Sequence, residues 1–155
     1  MNEAPGFDLQ AAHRYFSAAC FNQAWDLIDK PRRTPDEDEA MLRLSLASAW
    51  HWTQRPDCAP SNLSVAYWQT SRIYCLLGQA DNARRYGQLS LEQCRHEGVL
   101  PFYLGYAYEA LARAEMTAGD RVKMQAYLAQ AHAAAERMVD EEAKKLLLDD
   151  LQTIT

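Results

Sequence analysis

Residues 63–95, LSVAYWQTSRIYCLLGQADNARRYGQLSLEQCR, echo 41 positions later as residues 104–136, LGYAYEALARAEMTAGDRVKMQAYLAQAHAAAE. The shift superimposes Leu63 on Leu104, Ala66 on Ala107, Tyr67 on Tyr108, Arg72 on Arg113, Gly78 on Gly119 and Tyr86 on Tyr127. In each copy a helix-forming run leads to a glycine and then to a second run, which reads as helix, tight turn, helix. A single hairpin of this kind cannot bury its own apolar face. Its repetition therefore predicts an all-α fold in which antiparallel helical hairpins stack on a shared core as a short solenoid.

Outward from the repeat, caps and breakers predict about eight helices, near 8–19, 22–30, 35–54, 62–77, 80–96, 101–118, 121–137 and 140–152. Strand signals are nearly absent, while Ala, Leu, Gln, Arg and Glu dominate. Thr34-Pro35-Asp36-Glu37 joins an N-cap hydroxyl, a proline at the first helical position and a glutamate placed to close a capping box. Arg55-Pro56-Asp57-Cys58-Ala59-Pro60-Ser61 cannot continue a helix, because both prolines lack the N–H and force extended residues before them. Gly98 ends the fifth predicted helix and Pro101 suits the start of the sixth. Ala143, Leu147, Leu151 and Ile154 form one stripe at 140–155, as a C-terminal capping helix over an open end requires.

At 155 residues, 48% of them hydrophobic, the chain reads as a single domain over 1–155 with a core of its own. Its formal net charge of −5 argues against nucleic acid or an anionic membrane as partner, since phosphate neutralisation needs a basic face. No stretch approaches the roughly 20 apolar residues that span a bilayer. Met1 to Gly6 carries neither a basic start nor an apolar signal region, which predicts a cytoplasmic location. Cys20, Cys58, Cys75 and Cys94 are an even set, yet three fall inside apolar helical patterns where a free thiol is a small buried hydrophobe.

The same residues resemble the tetratricopeptide repeat. Tyr67, Ser71, Tyr74, Gly78, Ala83 and Ser90 occupy its consensus roles over residues 64–94, and Tyr108, Ala112, Gly119 and Ala131 do so over 105–135, where Glu115 and Met124 depart from the expected tyrosine and alanine. Tyr15, Phe21 and Ala24 are in register for a degenerate copy without a turn glycine. Segments such as Ser48-Ala49-Trp50-His51-Trp52 are also similar to short, functionally unassigned bacterial repeat proteins. What the resemblance implies is a non-enzymatic module for a protein or peptide partner, with the first helix of each hairpin lining a concave face.

On that face Trp68 with Arg72, and Glu109 with Arg113, are spaced i, i+4, so each pair shares one side of its helix. Arginine offers a forked donor for the carboxylate of an acidic or C-terminal segment. The competing account is that these arginines form salt bridges between helices, Arg113 with Glu109 for instance. A second expectation places a small-molecule or catalytic pocket around His51, Asn62, Trp68 and Arg72, against which stands the reading of Trp50 and Trp52 as core and His51 as bonded to a loop carbonyl. The histidines and cysteines show no metal-binding spacing, and no phosphate loop or nucleophile elbow appears, so neither metal nor cofactor is expected. Leu146 and Leu148, beside the main stripe of the last helix, add the expectation of a homodimer.

Overall fold

The computed structural model describes residues 6–155, and the Met1–Pro5 part of the leader expectation lies outside them. Among the described residues the fold is all-α, with seven helices and no strand. The chain divides at the proline break into two units, residues 1–59 and 60–155.

The first unit is a hairpin of α1 (Leu9–Ile28) and α2 (Pro35–Thr53). The sequence predicted a break near residues 20–21, but α1 runs through it. The physical reason is that residues 9–28 contain neither glycine nor proline, so nothing interrupts the backbone ladder until Asp29 and Pro31. This merger leaves seven helices where eight were expected. The Asp8 carboxylate caps α1 by accepting from the Ala11 N–H at 3.0 Å. Thr34 and Glu37 close the predicted capping box of α2. The helices run antiparallel: the Ser48 hydroxyl donates to the Ser17 carbonyl at 2.7 Å, while Arg33 reaches back to the Leu27 carbonyl. Ala24 and Met41 are fully buried.

The second unit holds α3 (Pro60–Leu76), α4 (Ala80–Gln93), α5 (Pro101–Ala118), α6 (Arg121–Glu136) and α7 (Glu141–Leu151). Gly78 and Gly119 take φ of 71° and 78°, the left-handed conformation that lets each hairpin turn without a Cβ clash. Helix α3 packs on α4, α5 packs on α3, α4 and α6, and α7 lies on α5 and α6. The repeat survives in the packing. Tyr67 and Tyr86 meet at 6.1 Å between ring centroids, and their counterparts Tyr108 and Tyr127 at 6.3 Å.

Helix α5 is buried continuously from Gly105 to Glu115 apart from Tyr108, because neighbours cover it on several sides. Glu115 departs from the repeat's tyrosine for an electrostatic reason: its two carboxylate oxygens accept from Nε and one Nη of Arg84 on α4, at 2.8 and 2.9 Å. The stripe Leu147, Leu151 and Ile154 is buried where α7 packs on α5 and α6. Gly105 makes this docking close, since a Cβ there would stand 2.5 Å from Leu147 Cδ2. Among the described residues no helix is long and apolar enough to cross a membrane.

Candidate functional site

Three helical stripes build the site in the second unit. Ser64, Trp68 and Arg72 lie one turn apart along α3; Phe102, Tyr106, Glu109 and Arg113 follow one face of α5; Leu146 and Asp150 follow one face of α7. The stripes meet around the Glu109 carboxylate, which is wholly removed from solvent.

Glu109 is satisfied on both oxygens. Its Oε2 accepts from Trp68 Nε1 at 2.7 Å. Its Oε1 accepts from Arg113 Nε at 2.7 Å and lies 2.6 Å from Arg113 Nη2, with Arg72 Nη1 further off at 3.3 Å. Burying a carboxylate costs several kcal/mol unless partners replace its water, and here three donors do so. The four residues placed on the concave face by sequence are thus brought together, but in unequal roles. Arg113 is buried, and its Nη2 also donates to Thr153 Oγ1 at 2.8 Å, tying α5 to the end of α7. Arg72 keeps 24% of its side chain in solvent. Two guanidiniums share this carboxylate, a second carboxylate, Asp150, stands close by on the Tyr106 hydroxyl, and Arg72 is the exposed member of the cluster.

Beside this cluster lies a hollow of about 150 Å³. Trp68 and Tyr106 form adjoining walls, 5.2 Å apart between centroids and nearly perpendicular, and Phe102 packs on Tyr106 at 5.0 Å. Val65, Tyr103 and the half-exposed Leu146 complete the lining over Ser64. The Tyr106 hydroxyl donates to Asp150 Oδ2 at 2.8 Å. Burial, reinforced by that bond, pushes the Tyr106 phenol far above its usual range, so it remains a donor at neutral pH. A neighbouring hollow of about 290 Å³ shares the Phe102 and Tyr103 walls and extends towards Met138 and Val139. Leu148, paired with Leu146 in the dimer expectation, packs against the core, whereas Leu146 is exposed.

His51 belongs to the first unit, Asn62, Trp68 and Arg72 to the second. Asn62 sits in the first turn of α3. Within its own unit His51 meets His13, with the two Nδ1 atoms 2.8 Å apart, so one nitrogen carries the hydrogen and the other accepts it. Phe16 stacks on His51 at 5.3 Å, and Trp50 stands edge-on to both imidazoles. Desolvation, then the charge of His13, lowers the His51 pKa from its ordinary 6.5. Burial pushes the Cys58 thiol up against the opposing pull of Arg55, which leaves it a poor nucleophile at neutral pH.

Sequence reasoning missed His13, Phe102, Tyr106 and Asp150. The α5 residues carried a signal, the spacing 102, 106, 109, 113 along one face. His13 carried none, because its pairing depends on how α1 and α2 align. No protein-family model, no curated protein and no solved structure matches the chain.

Proposed function

We propose that the chain is a non-catalytic interaction module, a short tetratricopeptide-repeat-like solenoid whose α3–α5 face binds an acidic or C-terminal segment of a protein partner at Arg72. The observation that carries this reading is the loose engagement and partial exposure of Arg72. Arg113 and the Trp68 indole already answer both oxygens of Glu109 at 2.6–2.7 Å, so Arg72 at 3.3 Å is not needed to neutralise it. A partly exposed guanidinium, held in place yet incompletely engaged, suits the capture of a carboxylate at little ordering cost. The repeated glycine turns and matched tyrosine contacts support the solenoid assignment.

The test follows from the unequal roles of the two arginines. Arg113→Ala would strand a buried carboxylate and confound binding with folding, so the informative variant is Arg72→Gln alone. Panning a library of peptides with free C-termini should enrich acidic or carboxylate-terminated sequences. In Arg72→Gln their affinity should fall about 10- to 100-fold, the range expected for one charge-assisted hydrogen bond. Unchanged affinity in a folded Arg72→Gln protein, or no enrichment at all, refutes the proposal.

A further inference from the structure

We infer that the 150 Å³ hollow between α3, α5 and α7 is a binding site for a small uncharged molecule carrying one ring and at most one polar substituent. This is a different ligand chemistry from the carboxylate proposed for Arg72, and the two sites share only the Trp68 side chain.

Size sets the first limit. An apolar protein cavity of about 150 Å³ accepts benzene, so this hollow has room for one ring. Chemistry sets the second. The polar atoms its walls bring are turned to other work: Ser64 Oγ lies 3.1 Å from Ser90 Oγ, Trp68 Nε1 donates to Glu109, and the Tyr106 hydroxyl donates to Asp150. What these residues offer the hollow is ring face and methylene. Tyr103, which also lines the neighbouring hollow, is the remaining wall residue with a polar atom, and a single hydroxyl or amine on the ligand can be carried at the open mouth. Water needs two to four polar partners to reside in such a place and does not find them, so it is readily displaced.

Rigidity sets the third limit. Trp68 and Tyr106 are each fixed at their polar end by a carboxylate, so the walls stand ready before a ligand arrives. Binding therefore does not have to order them. Leu146, 55% exposed and on the rim, closes one side, and replacing it does not disturb the buried core.

Titration of isotope-labelled protein with toluene and with p-cresol, followed through the methyl signals of Val65 and Leu146, tests the assignment. Saturable shifts of the Val65 methyls are expected with both probes. In Leu146→Trp, where an indole covers the mouth, and in Val65→Trp, where one fills the interior, the affinity should fall at least tenfold. Arg72→Gln should bind both probes as the parent protein does, so loss of peptide binding and loss of ring binding report on separate readings. Absence of saturable shifts up to the solubility of toluene overturns the inference. So does unchanged affinity in a folded Val65→Trp protein. It also fails if light scattering finds a dimer that toluene does not dissociate and whose contact covers the Val65 and Leu146 methyls, because a second copy would then be the occupant.

Discussion

Acidification should weaken the first unit through the His13–His51 pair. At neutral pH the pair holds one hydrogen between two Nδ1 atoms 2.8 Å apart, and no carboxylate among the described residues hydrogen-bonds to either ring. Arg55, whose Nη1 donates to Ser17 one turn beyond His13, is held by both oxygens of Asp57 and adds no net charge, so the repulsion is that between the two imidazoles. With ring centroids 5.1 Å apart, two full charges repel by about 3 kcal/mol at an effective dielectric of 20. His51 has its pKa lowered in the folded chain from 6.5, so below about pH 6.5 the unfolded chain binds more protons and stability falls with pH. The contribution is complete above pH 6.5 and is lost as the pH drops through the folded value. Urea unfolding of the full chain at pH 7, 6 and 5, followed by fluorescence and circular dichroism, should show a loss of about 1–3 kcal/mol across this window. His13→Phe keeps an aromatic ring against Trp50 but removes the second charge, and its loss over the same range should be at most half as large. Equal losses in parent and variant would refute the reasoning, since exposed carboxylates titrate alike in both.

Two further outcomes concern the second unit. Gly105→Ala should destabilise by about 1–3 kcal/mol in urea unfolding, because its Cβ would stand 2.5 Å from Cδ2 of the fully buried Leu147, which must repack to admit it. Glu109→Gln conserves shape but leaves buried Arg113 without its counter-charge, so a loss of about 3 kcal/mol or more is expected, against less than about 1 kcal/mol for Arg72→Gln. Similar losses for the two substitutions would show that Arg72, not Arg113, is the structural partner.

Features set by one or two residues were legible in the sequence. Thr34 and Glu37 cap α2 behind Pro35, Gly78 and Gly119 turn the two hairpins, and Pro101 opens α5, because each depends on local backbone chemistry. The split of α1 was misread because a missing turn glycine was treated as a degraded turn, when its absence meant continued helix. Within the site, pairing Trp68 with Arg72 and Glu109 with Arg113 was readable from helical spacing. That Trp68 and Arg72 would both turn to Glu109 was not, because the register between α3 and α5 is set by tertiary packing of helices that are not neighbours in the chain. The aromatic hollow escaped for the same reason: Trp68, Tyr106 and Leu146 are far apart in sequence and come together only through the packing of α3, α5 and α7.

The contact between Trp68 and Glu109 gives the stack a direction. Both residues hold the same place in successive copies, as do Arg72 and Arg113, so the earlier hairpin supplies donors and the later one the acceptor. A further copy of residues 63–95 inserted between them would set indole against indole, with arginines and no carboxylate. A further copy of residues 104–136 would set carboxylate against carboxylate in the same dry seam. The contact is therefore one-way: it needs the donors of residues 63–95 on one side and the carboxylate of residues 104–136 on the other.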